Sequence, residues 1–172
     1  VYGNGPISDS QFYMADGIKL KTGATQASPP SVANRSLDHF DLPRKGATAA
    51  NPDDVRSALI PDPRNDENLA VAQTHLAFIR FHNNVCDRLA KSGTPSSMIF
   101  EKARESVVKH YQWMLRTDFL PRIVDPSILA DVFENGRKVF EVDGRGFPTM
   151  PLEFSVAAYR VGHSMIREKY DW

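Results

Sequence analysis

The chain is predicted to be mainly α, with a long irregular N-terminal arm and one small β-hairpin. Three features of the sequence carry that expectation. From Pro63 onward, apolar residues recur at three- and four-residue spacing, the period of a helix with one buried face. Before Pro63 the period is missing, and Gly, Pro, Ser, Asn and Asp crowd the sequence. Asp143-Gly144, between short Val- and Phe-containing pieces, is a hairpin signal.

Residues 1–62 form the arm. The stretch from Gly23 to Asn34, with Pro29-Pro30 in its middle, reads as extended loop. A loop this long is uncommon in a compact domain unless it wraps something, so the arm is expected to lie on the rest of a larger protein. Residues 66–91 read as one amphipathic helix through Leu69, Ala72, Leu76, Ile79, Cys86 and Leu89. Asn65 is a good N-cap for it, Asp66 and Glu67 suit the positive end of the dipole, and Gly93 ends it. Thr94-Pro95 opens a second helix, over 95–120, that runs through Phe100, Ala103, Val107, Tyr111 and Met114 and is stopped by Pro121. A short third helix follows Asp125-Pro126 and ends at Asn135-Gly136. The hairpin is expected over 138–148, and Pro151 opens a last helix that carries His163 and continues to Trp172.

At 172 residues the chain is long enough for one domain with a real core. Apolar residues make up 41% and charged residues 24%, ordinary values for a globular protein. Lys plus Arg and Asp plus Glu both number 21, so net charge draws the chain to neither nucleic acid nor an anionic membrane. No apolar run reaches the roughly 18 residues of a spanning helix, so no transmembrane segment is expected. The single Cys86 excludes an intrachain disulfide and reads as a buried, inert thiol within a helical pattern. Asn34-Arg35-Ser36 matches a glycosylation sequon, a tripeptide that also arises by chance. The sequence opens on Val1 with no initiator Met or leader, so it is read as an internal piece. Secreted and cytoplasmic locations both stay open.

His163 is the first candidate for chemistry. On a helix, Tyr159 and Arg160 lie four and three residues back on its face, and Gly162 bares the backbone beside the imidazole. An imidazole, a guanidinium and a bare patch on one face suit haem: nitrogen for iron, cation for propionate. A core helix with Gly for close packing fits the same spacing, and from spacing alone it is the favoured reading. Arg64 is the second candidate. It stands just before a helix N-terminus, where a cation opposes the dipole, and a residue that breaks a local rule marks a candidate site. His75 and His82 share a helix face and read as packing and hydrogen-bonding residues, since two histidines alone make no zinc site.

Taken together, Val1-Tyr2-Gly3, Asp62-Pro63-Arg64-Asn65-Asp66-Glu67-Asn68-Leu69, Phe81-His82-Asn83 and Arg160-Val161-Gly162-His163-Ser164 resemble, in order, the animal-type haem peroxidase and cyclooxygenase superfamily. The resemblance covers residues 1–172 as part of the family's domain, and with one cysteine the chain is similar to a bacterial-type member of the myeloperoxidase-like branch. It implies a haem-peroxidase-like helical domain, partial here, with the distal arginine and proximal histidine both in 63–172. By the proximal motif, His163 is the axial ligand of haem iron, and Val161 replaces the family's usual aromatic. Arg160 and Gly162 flank the haem. By the Asp-x-Arg-x-x-Glu motif, Arg64 stabilises the charge that develops as the peroxide O–O bond breaks. Glu67 matches the carboxylate that esterifies a haem methyl in mammalian members. Asn68 stands where myeloperoxidase-like members carry a vinyl-linked methionine, so no sulfonium link is expected.

The resemblance also implies what lies elsewhere. The distal histidine, the calcium loop and the second haem-linking acid would precede Val1, and the asparagine partner of the proximal histidine would follow Trp172. The expected cofactor is therefore haem b, with Glu67 as the point of an ester link and calcium belonging to the intact parent. Expected partners are hydrogen peroxide, small reducing donors and the remainder of the peroxidase domain. A fatty-acid dioxygenase of the cyclooxygenase or linoleate-diol-synthase branch is the alternative; that branch places a radical tyrosine three residues before the proximal histidine, where this chain has Arg160. A non-catalytic helical fragment is the third reading. The isolated chain is expected to hold one axial ligand and one distal cation rather than a complete pocket.

Overall fold

The computed structural model describes residues 1–25, 38–138 and 149–169. It is mainly α, with one small antiparallel pair, and the chain divides into two compact units, Val1–Met114 and Leu115–Trp172. In the first unit, strands β1 (Gly23–Ala24) and β2 (Asp38–Asp41) form the pair. Helix α1 spans Leu69–Lys91 and α2 spans Ser96–Met114. The hairpin expected over 138–148 falls almost wholly outside the described residues.

Helix α1 starts later than the sequence suggests. Asp62 caps a 3-10 turn over Pro63–Asp66, and Asn68, not Asn65, is the α1 N-cap, its side-chain oxygen accepting from the Val71 N–H at 3.0 Å. Proline at the first position favours the tight turn, and a second cap then restarts the chain as α-helix. Gly93 takes φ +78° after the end of α1 and lets the chain double back into α2. The two helices pack on one another.

The arm is irregular, as expected, but it lies on its own unit. Tyr13, Leu20, Leu42, Ala58 and Ile60 are buried in one cluster with Ala72, Leu76 and Ile79 of α1 and Phe100 of α2. The expectation that the arm lies on the rest of a larger protein is corrected to this extent: its apolar residues are buried within its own unit. Spaced without a period, its apolar residues reach the core one by one from turns, not as a stripe. Buried backbone polar groups need partners, and α1 supplies them to the arm. Asn83 accepts from the Leu20 N–H and donates to the Leu20 carbonyl, both at 2.9 Å.

In the second unit, α2 gives way to π-helical turns over Leu115–Phe119 before helix α3 (Leu120–Ile123). Pro121 does not stop the chain here; it sits in the first turn of α3. A proline in a continuous helix clashes with the carbonyl four residues back, and a widened turn relieves it. Helix α4 spans Pro126–Asn135 with Asp125 as N-cap, and Gly136 follows at φ +78°, as the sequence predicts. The last predicted helix is not continuous. Helix α5 covers Leu152–Val156, Ala157 breaks it at φ −126° and ψ −72°, and a 3-10 helix follows over Ala158–Met165. None of the described residues of this unit is buried. Helix stability comes mostly from packing an apolar face, and here α5 packs none away.

Candidate functional site

The turn that carries Arg64 is pinned at both ends. At its start, Asp62 Oδ1 accepts from the Arg64 backbone N–H at 3.1 Å and from Arg64 Nε at 2.9 Å, while Asp62 Oδ2 accepts from Nη2 at 2.7 Å. The Arg64 guanidinium and N–H hold the Asp62 carboxyl down to about 2. This fork answers the dipole problem seen in the sequence, because the cation before α1 stands on its own carboxylate. The Arg64 side chain is 79% exposed.

At the other end of the turn, Asp66 is gripped by Arg44. Arg44 donates to Asp41 through Nε at 3.0 Å and Nη2 at 2.8 Å, and Nη1 reaches both the Arg56 carbonyl at 3.1 Å and Asp66 Oδ2. The two carboxylates raise the Arg44 guanidinium further above its usual value. Glu67 follows Asp66 directly and lines a hollow of about 410 Å³ with Lys45, Asp54, Ser57 and Asp66. Nothing in the sequence around Leu42-Pro43-Arg44 signalled this role, since the stretch has no period and its partners are non-local.

A second hollow, of about 490 Å³, lies against α1 and α2, lined mainly by apolar side chains together with Asn65 and His75. The Asn65 amide donates to His75 Nδ1 at 2.9 Å, which puts the ring hydrogen on Nε2. That Nε2 is buried without a partner among the described residues, and burial lowers the His75 imidazole to about 4. His82 packs edge-on against Phe100 of α2 at 5.8 Å, as a residue between helices would, but its hydrogen bonds to other elements go to the arm. Its Nε2 donates to the Ile18 carbonyl at 2.9 Å and its Nδ1 accepts from the Tyr2 hydroxyl at 3.1 Å, so it fastens the arm. Burial raises the Cys86 thiol to about 11, in keeping with an inert thiol.

The proximal candidates belong to the second unit. His163, Gly162 and Arg160 all lie on the 3-10 helix Ala158–Met165, and all are exposed. At three residues per turn, Arg160 and His163 eclipse, whereas Tyr159 is turned about 120° away. The sequence-based view that Tyr159 shares the face of His163 is thus corrected, and Arg160 shares it more closely than in an α-helix. Arg160 Nε donates to the Ser155 carbonyl at 3.2 Å. A Cβ placed on Gly162 would meet nothing within 4 Å among the described residues beyond the adjoining backbone, which leaves room there for a flat group. An exposed imidazole, an eclipsed guanidinium and an open backbone fit haem.

Among the described residues, no cluster of three or more His, Cys, Asp or Glu side chains could hold a metal ion, and no helix is long and apolar enough to cross a membrane. The family model for animal haem peroxidase matches residues 1–172. A peroxidase-like protein of Margaritifera margaritifera is 31% identical over 129 residues, 70% of this chain and 16% of the relative. Peroxidase mlt-7 of Caenorhabditis elegans is 27% identical over 132 residues, 75% of this chain and 18% of the relative. A peroxidasin homolog of Caenorhabditis briggsae is 25% identical over 173 residues, 96% of this chain and 13% of the relative. The chain thus spans less than a fifth of the length of these relatives. No solved structure matches it.

Proposed function

The chain belongs to the animal haem peroxidase family, and from that premise we propose that it carries the proximal ligand and the distal cation of a haem-dependent peroxidase. The parent protein reduces hydrogen peroxide and oxidises small donors. The observation that supports this most is the exposed face of Ala158–Met165, where Arg160 eclipses His163 beside the open backbone of Gly162. Haem b supplies the redox iron when bound. His163 would hold that iron through a neutral imidazole nitrogen, and Arg160 would serve a propionate as a charge-assisted donor.

Arg64 has the second role, that of charge stabiliser. Its guanidinium, already charged and held by Asp62, offers fixed donors to the oxygen that gains negative charge as peroxide is cleaved. Proton movement within peroxide needs a base about 3 Å away. We assign that base, with the calcium site and the asparagine partner of His163, to parts of the protein outside residues 1–172. By this reading the 172-residue chain alone does not turn over peroxide. Glu67 is the point of ester attachment to haem, and Asn68 spends its oxygen on the α1 cap. The peroxidase branch is favoured over the fatty-acid dioxygenase branch because an arginine, not a tyrosine, takes the eclipsed position before His163. A bacterial-type, myeloperoxidase-like member remains our placement within the family, on the single cysteine.

The test is His163→Ala in the full-length protein. Loss of stable haem incorporation and of the Soret band is expected. A normal ferric spectrum at full haem occupancy would overturn the assignment.

A further inference from the structure

We propose that Arg44 is a positioning residue for Arg64 and Glu67, acting through Asp66. The proposal rests on the distal role given to Arg64 above. Arg44 sits in a short two-stranded ribbon: the Leu59 N–H donates to the Pro43 carbonyl at 2.6 Å, the Lys45 N–H to Ser57 at 3.0 Å, and the Gly46 N–H to Val55 at 2.9 Å. Buried Leu42, Ala58 and Ile60 root that ribbon in the core. Its backbone is therefore fixed before the guanidinium makes any contact.

Each nitrogen of that guanidinium is used. Two close a fork on Asp41, and the third spans the Arg56 carbonyl and Asp66. Asp66 ends the turn Pro63–Asp66, between Arg64 and Glu67. The Arg64 guanidinium is held by Asp62 at the head of the same turn, so its direction follows the placement of the turn. The turn is held at its start by Asp62, in its middle by Asn65 on His75 of α1, and at its end by Arg44 from the ribbon. Removing Arg44 would also leave Asp41 and Asp66 as neighbouring like charges, each about three-quarters withdrawn from water, and their repulsion would drive the turn off the ribbon. Lysine restores the charge but not the planar fork, so it cannot hold both carboxylates in one geometry.

The experiment uses the full-length protein with Arg44→Met and Arg44→Lys, alone and combined with Arg64→Ala. In Arg44→Met, amide hydrogen exchange is expected to rise in the peptide covering 62–68 and to stay unchanged in the centre of α1. The reaction with peroxide should slow by about 10- to 100-fold, the scale of an ångström-sized misplacement, while the KM for the reducing donor holds. Arg44→Lys should recover part of that rate. In the Arg64→Ala background, Arg44→Met should cost little more, because both changes then remove one contribution. Faster exchange along all of α1, or kinetic losses that multiply, would overturn the proposal in favour of a general role in stability. Unchanged exchange at 62–68 overturns it and leaves the distal reading standing. A wild-type peroxide rate in Arg64→Ala alone overturns the distal reading, and with it any positioning for the reaction.

Discussion

The Tyr2 hydroxyl meets His82 Nδ1 at 3.1 Å across 80 positions of sequence, and the two rings meet edge-on at 5.2 Å. The Phe100 ring is edge-on to both, at 6.0 Å and 5.8 Å, and to Tyr13 at 5.7 Å. The Tyr13 hydroxyl in turn donates to the Tyr2 carbonyl at 2.7 Å. Arm, α1 and α2 are joined at one aromatic centre whose polar tips are all paired.

Asn83 makes the second fastening, and its loss should be costly. Asn83→Ala strips partners from the Leu20 N–H and carbonyl, in a residue only 1% exposed. Unsatisfied buried groups cost about 1–3 kcal/mol each, so a loss of about 2–4 kcal/mol is expected in denaturant unfolding. A shift under about 0.5 kcal/mol, the scale of an ordinary surface change, would show that the arm is not held this way.

Gly162→Leu should separate folding from cofactor binding. Among the described residues, nothing beyond the adjoining backbone stands within 4 Å of the new Cβ, and the glycine does not take a positive φ. Thermal unfolding of the apoprotein should therefore hardly change, while haem titration should show weakened uptake. Full affinity in the variant would remove Gly162 from the haem-facing surface.

Arg64→Ala should leave haem bound and slow the reaction with peroxide by about 10²-fold or more, as for loss of one preorganised charge-stabilising donor. Rapid-mixing absorbance measures it directly. Rates equal to those of the unaltered protein would take Arg64 out of the mechanism.

His75 makes stability fall with acid. Burial holds its folded-state value at about 4, below the ordinary 6.5, so between these values the unfolded chain binds more protons than the folded one. Stability is thus greatest above about pH 6.5, drops as pH falls toward 4, and levels off below. His75→Leu should flatten that slope in denaturant midpoints read at pH 7 and pH 4.5. An unaltered slope would mean that other groups carry the acid sensitivity.

Glu67→Gln tests the ester link. Digestion of the unaltered parent should yield haem bound to the peptide that carries Glu67, and the same peptide of the variant should be free of haem. Haem-free peptide from both would show that Glu67 forms no ester.

Local chemistry made much of this chain legible in sequence. The apolar period placed α1 and α2, Asp125-Pro126 and Gly136 bounded α4, and short motifs singled out Arg64, Glu67 and His163. Those signals are contiguous in the chain, so they survive without a fold. What only the tertiary structure decided depends on contacts between distant residues. The arm reaches the core from irregular turns, His82 and Asn83 hydrogen-bond to the arm, and Arg44 joins the ribbon to the turn of Arg64. The segment bearing His163 shows the converse: its sequence has a helical period, but none of its described side chains is buried, and it settles into a short helix and a 3-10 stretch. A period states which face of a helix would be buried; only packing against a partner makes that burial, and so the helix, favourable.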